Sequence, residues 1–122
     1  MSNNDTSLLV ICRSAPYGSS LGRDAIEFCL AASVYSASVA VLFMDDGIFQ
    51  LLADQNPDDL GIKSQLRLLQ SLPLYDVEQI YVDTESLTSR GVTREDLIDL
   101  AVAADQKDVE QLIQSATKVV SF

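Results

Sequence analysis

Residues 7–12 read SLLVIC and residues 38–43 read SVAVLF, two unbroken runs of mostly branched apolar side chains. A strand with one wetted face alternates apolar with polar. An unbroken run belongs to a strand buried on both faces, and such strands sit in parallel sheets between layers of helix. The segment joining the two runs supplies the crossover that a parallel pair requires. Its first part, RSAPYGSSLG at 13–22, holds Pro16, Gly18 and Gly22 with three serines, and Ser19 or Ser20 can cap a helix over 21–35. That helix places Leu21, Ala25, Phe28, Cys29 and Ala32 on one stripe and Ile26, Leu30 and Val34 on a second beside it. An apolar face so wide points to a helix central in the fold or covered by another subunit.

The alternation of strand and helix continues along the chain. Asp45, Asp46 and Gly47 supply the turn that ends the second strand, and IFQLLAD at 48–54 is a short apolar segment. Pro57 precedes a helix over 62–72 with Ile62, Leu66 and Leu69 inward and Lys63 and Arg67 outward. A third strand, VEQIYV at 77–82, enters a loop at Asp83 and Thr84. ESLTSRG closes at Gly91, and Thr93 with Asp96 has the spacing of a capping box. IDLAVA at 98–103 either continues a helix or forms a fourth strand; strand is favoured because Asp105 then caps a helix carrying Val109, Leu112 and Ile113, and KVVSF reads as a fifth strand. The expected fold is α/β: a single-domain, three-layer α/β/α arrangement around a mostly parallel five-stranded sheet.

The chain's 122 residues, 48% of them hydrophobic, suit one domain over 7–122 after a disordered tail at 1–6. The start MSNNDTS has no signal-peptide character and no run is long enough to cross a membrane, so a cytoplasmic protein without membrane contact is expected. Eight basic residues against 18 acidic ones leave a net charge of −10, which repels phosphate backbones and argues against direct nucleic-acid binding. The absence of His excludes Ser/His/Asp and Cys/His catalysis, and with two Cys it excludes the common zinc ligand sets.

In open α/β sheets, ligands bind beyond the carboxyl ends of the strands, which leaves three candidate sites. The loop at 13–22 offers backbone amides and the cations Arg13 and Arg23 to an anion, without a GxGxxG or GK[ST] motif. Asp45, Asp46 and Asp83, at the ends of the second and third strands, have the oxygen chemistry to hold Mg²⁺, against the plainer reading that Asp45 and Asp46 form a turn. A cysteine of lowered pKa would suit sulfur transfer, yet Cys12 at a strand end and Cys29 in mid-helix both read as buried core thiols.

The run RSAPYGSSLGRDAIEF, then MDDGIFQLL, then LYDVEQIYVDTESLTSRG and the terminal VVSF together resemble the DsrE/DsrF/DsrH sulfur-relay family, nearest its TusC (DsrF) branch. The resemblance implies a subunit of a heterohexamer of TusB-, TusC- and TusD-like chains that hands persulfide sulfur between cysteines. The sulfur ends in the 2-thiouridine of a tRNA wobble position in the Tus branch, and the Dsr branch serves sulfur oxidation. Aligned by SLTSRG, the family's sulfur-carrying cysteine falls at Asp83, and aspartate forms no persulfide. The implied role is a non-catalytic, cofactor-free structural subunit; from their apolar character alone, Phe28, Ile48, Phe49, Leu51, Leu52, Leu74 and Tyr75 either form a subunit interface or fill the monomer's own core. An interface left without its partners can pair with itself, so homo-oligomers of the isolated chain are a foreseeable artefact. The alternatives are a sulfurtransferase using Cys12 and a metal- or anion-binding module using Asp45, Asp46 and Asp83.

Overall fold

A computed structural model describes residues 6–35, 38–53 and 60–122, and the side chains of all these except 6 and 60–63. Residues 1–5 of the expected tail, Asp54, Pro57, Asp58 and Asp59 therefore lie outside the described residues, as do the side chains of Ile62 and Lys63, whereas Thr6 already belongs to the first strand. Among the described residues five strands, β1 (Thr6–Cys12), β2 (Val39–Phe43), β3 (Gln79–Asp83), β4 (Val102–Ala104) and β5 (Ala116–Ser121), form one sheet in the order β4-β3-β2-β1-β5. Every pairing is parallel, with Val10 opposite Val41 and Val120, Val41 opposite Ile80, and Val82 opposite Ala103. The two unbroken runs are the central strands, as their composition requires.

Among the described residues four α-helices accompany the sheet: α1 (Leu21–Tyr35), α2 (Leu60–Gln70), α3 (Thr84–Ser89) and α4 (Gln106–Ser115). On one face Val10, Cys12, Val41, Phe43, Ile80 and Val82 pack against Ala25, Ile26 and Cys29 of α1 and Leu69 of α2. On the other, Leu9, Ile11, Ala40 and Leu42 lie under Val109 and Leu112 of α4. This is the three-layer α/β/α arrangement. The chain runs outward from β1 to β4 and returns through α4 to β5 on the far side of β1, so the sheet's switch point lies between β1 and β5. The last residue closes it: the Phe122 amide donates to the Ile11 carbonyl and the Arg13 amide to the Phe122 carbonyl, at 2.9 and 2.8 Å.

Local chemistry explains the helix ends. The Leu21 amide donates to Ser19 Oγ at 3.3 Å and Ser20 Oγ to Asp24 at 3.0 Å, which starts α1 where the two serines predict. Asp105 caps α4 in a box with Asp108. Thr93 and Asp96 make the expected box, around a short 3-10 turn.

Several assignments change in detail. Ile48–Leu51 of the short apolar segment belong to a 3-10 segment, Asp45–Leu51, and the helix expected to reach 72 stops at Gln70, ahead of a 3-10 turn at Leu72–Tyr75. The third strand starts at Gln79 because Val77 is drawn into the core and its amide bonds to the Leu72 carbonyl. No loop follows Asp83, which caps α3 directly. The fourth strand is only Val102–Ala104, since the residues before it are held by Leu51–Ala53: the Ile98 amide donates to the Leu51 carbonyl at 2.7 Å and Leu97 bridges Leu52.

Candidate functional site

The carboxyl ends of β1, β2 and β3 bring the sequence candidates to one end of the sheet. Beyond Phe43 the Met44 amide still bonds to the Cys12 carbonyl, at 3.0 Å. The chain then turns through Asp45, held at φ 51°, a region aspartate tolerates better than most residues. Gly47 lies against the Cys12 carbonyl, where a side chain has no room. The turn-forming role of Asp45, Asp46 and Gly47 is thus realised in a 3-10 segment.

Asp83 ends β3 with its side chain buried. One of its carboxylate oxygens accepts from both the amide and the hydroxyl of Ser86, at 3.2 and 2.6 Å, which caps α3. Ser86 Oγ in turn accepts from the Asp45 amide at 2.8 Å, so one hydroxyl ties the β3–α3 junction to the turn after β2. Two exposed ion pairs flank this knot: Arg90 with Asp46 at 3.0 Å and Arg13 with Asp45 at 3.8 Å. The three aspartates are therefore neighbours with separate partners, Ser86, Arg13 and Arg90. Carboxylates arranged to converge on Mg²⁺ would point at a common centre. Among the described residues no cluster of three or more His, Cys, Asp or Glu is placed to hold a metal.

Replacing Asp83 by alanine removes the cap and leaves the buried Ser86 amide without its acceptor. A loss of about 1–2 kcal/mol is expected from chemical denaturation, and clearly less for Asp83→Asn, which retains an acceptor oxygen. Equal losses for both variants would show that the cap contributes nothing.

The 13–22 loop is fixed from inside by two buried glutamines. Gln50 Nε2 donates to the Ser14 carbonyl at 3.0 Å, while Gln65 Nε2 donates to Gln50 Oε1 at 2.7 Å and lies 3.3 Å from the Gly22 carbonyl. The cations proposed for an anion are committed elsewhere, Arg13 to Asp45 and Arg23 to Glu27. Sequence reasoning passed over Gln50, Gln65 and Ser86. The only signal was an amide side chain inside an apolar run, FQLL, a place where burial demands a hydrogen-bond partner.

Both thiols are fully buried. Burial, reinforced by the neighbouring Cys29, pushes the Cys12 thiol well above the usual range. Burial likewise pushes Cys29 up to about 12. Burial and the raised pKa values disfavour the thiolate at both sites near neutral pH.

The apolar residues assigned to an interface divide. Ile48 and Leu51 are entirely buried within the subunit, a correction that follows from the 3-10 segment turning them onto the sheet. Phe49 and Leu52 are half-buried, and Phe28, 38% exposed, rests on the Phe122 ring with centroids 5.6 Å apart. Leu74 and Tyr75 project, 83% and 52% exposed. The turn carrying them packs against α1, which ends in the equally open Val34 and Tyr35, at 71% and 91%.

Comparison with known proteins bears on these features. The DsrE/DsrF-like family profile matches residues 6–122. A "Protein TusC homolog" of Vibrio parahaemolyticus is 40% identical over 115 residues, 94% of this chain and 98% of that protein. Another from Pseudomonas aeruginosa is 35% identical over 95% of this chain and 98% of its own. The "Intracellular sulfur oxidation protein DsrF" of Allochromatium vinosum is 34% identical over 88% of this chain and 78% of its own. Among solved structures, the ychN protein from E. coli shares the fold with a TM-score of 0.76 at 22% identity, covering 96% of this chain and 99% of that one.

Proposed function

The chain belongs to the DsrE/DsrF-like family, and from that premise we propose that it is a non-catalytic structural subunit of a TusBCD-type sulfur-relay complex. Such a complex would pass persulfide sulfur toward 2-thiolation of a tRNA wobble uridine, with TusB-like and TusD-like chains as partners in a heterohexamer. The observation that carries the reading is Asp83. At the place where the resemblance puts a sulfur-carrying cysteine stands a carboxylate, buried and committed to capping α3. The two buried thiols give no substitute nucleophile, and they suit a reducing, cytoplasmic setting. The exposed apolar side chains of Val34, Tyr35, Leu74 and Tyr75 support contact with other subunits. Any tRNA would be met by another component, because a surface of net charge −10 repels it.

The test is co-expression of tagged protein with TusB- and TusD-like chains of the same genome, read by native mass spectrometry, followed by ³⁵S-persulfide loading from a cysteine desulfurase. An equimolar complex is expected, with label on the TusD-like chain and none on this one. Label at Cys12 or Cys29, or a chain that purifies alone as a monomer, would overturn the proposal.

The Allochromatium vinosum relative, named for intracellular sulfur oxidation, favours a second reading in which the same complex serves that pathway. Mass spectrometry of tRNA from a deletion strain separates the two. Loss of 2-thiouridine supports the first reading, and unchanged tRNA with impaired sulfur oxidation supports the second.

A further inference from the structure

Parallel sheets are covered by helices on both faces. Here one face carries α1 and α2 with the 3-10 segments between β2 and β3, whereas the other carries α4 alone among the described residues. α4 packs over β1 and β2, and beside it on that face Tyr81 of β3 is half-buried while Val102 of β4 stands exposed. An open groove of about 400 Å³ runs there alongside the helix. Tyr81 and Val102 form its floor, with Gln79 at one end, and Asp108, Gln111 and Leu112, spaced as a helical ridge, form its wall. Val102 is 61% exposed, a large apolar side chain on the short edge strand.

The ionised side chain in the groove's lining is a carboxylate, and Lys107, close enough to Asp105 to act on its charge, lies outside the lining. Asp108 is the ionised group of the lining, Asp105 caps α4 beside it, and Glu78 precedes Gln79 at the opposite end. Lys107 lies about 100° around the helix from Asp108. We propose that this groove is the docking site for a short amphipathic helix of a partner protein, its apolar stripe on Tyr81, Val102 and Leu112 and its Lys or Arg residues facing the carboxylates at the two ends. A helix laid beside α4 completes the missing part of that layer. A second copy of this chain does not supply it: the helix here with basic and no acidic residues is α2, and its Leu69 is already fully buried in its own core. The inference stands independently of the sulfur-relay reading.

The test uses the full chain and three fluorescent peptides of about 14 residues, long enough to form a helix on binding. One carries Leu at i, i+3, i+4 and i+7 with flanking Lys, one has Glu in place of Lys, and one scrambles the Lys peptide so that its stripe is lost. The striped Lys peptide is expected to bind at least about tenfold more tightly than the other two. Its amide chemical-shift changes should map to β3, β4 and α4. Gln111→Lys, at an exposed helix position, should invert the preference between Lys and Glu peptides, and Val102→Ser should weaken both. Equal binding of the scrambled peptide would reduce the effect to bulk charge and overturn the proposal. So would shifts mapping to another face, a preference unmoved by Gln111→Lys, or hydrogen-exchange protection confined to the free backbone edge of β4, which marks an added strand.

Discussion

Alanine in place of Gly47 is expected to destabilise the protein by at least about 3 kcal/mol, at the upper end of what overpacking one methyl costs. The cause is close approach rather than backbone conformation, since Gly47 is absent from the positive-φ positions. A Cβ at residue 47 would be driven into the carbonyl oxygen of Cys12, with the Arg13 amide nitrogen only 3.1 Å away. These are backbone atoms that have nowhere to go. The Cys12 carbonyl already accepts the Met44 amide, Cys12 pairs with Phe43 across the strands, and both side chains are fully buried. Relief must come from the turn itself, which would carry Asp45 away from Ser86 and undo the tie between the β2 turn and α3. Gly18→Ala is the control. Gly18 has φ 88° but open space around it, so its replacement should cost only about 1 kcal/mol of backbone strain. Urea denaturation of the two variants gives the comparison directly. A loss at Gly47 no larger than that at Gly18 would mean that the β1–β2 end of the sheet is looser than this packing implies.

What the sequence made legible follows from how local each determinant is. SLLVIC and SVAVLF declare central parallel strands because burial on both faces leaves its mark on every residue of the run. Asp105 and Asp108 act within one helical turn, so the start of α4 is readable. The junction at Asp83 was misread because an aspartate after a strand signals a loop and a helix cap equally, and α3 is too short to show an apolar period. The candidate site depends on distant pairs. Gln50 meets Ser14 across 36 positions and Ser86 meets Asp45 across 41, and no periodicity encodes such partners. The division of the apolar segments has the same origin. Ile48 and Leu74 look alike in sequence, and only the direction of each 3-10 turn sends one into the core and leaves the other in water.

Stability should fall steeply above about pH 9, and the two buried thiols should be responsible. In the unfolded chain a cysteine loses its proton near 9, whereas folded Cys29 keeps it until about 12, and Cys12 is shifted in the same direction by its burial. Between those limits the unfolded state binds fewer protons than the native state, so the stability present below pH 9 is lost as pH rises. The slope is about 1.4 kcal/mol per pH unit for each thiol. Tyrosines and lysines also titrate in this range, so the informative quantity is a difference. The slope of ΔG between pH 10 and 11 should be shallower in Cys12→Ala/Cys29→Ala than in the wild-type protein by about twice the single-thiol value. Parallel slopes would show that the thiols reach solvent without unfolding. The same physics governs reactivity at neutral pH. With a pKa of about 12 the thiolate fraction of Cys29 is roughly a thousandfold below that of an ordinary cysteine, before access is considered. Iodoacetamide should therefore leave the native protein unlabelled while modifying both residues in urea. Alkylation of Cys12 in the native state, at a rate that does not track global unfolding, would restore a nucleophile to this chain and with it the enzymatic reading that the buried sheet now argues against.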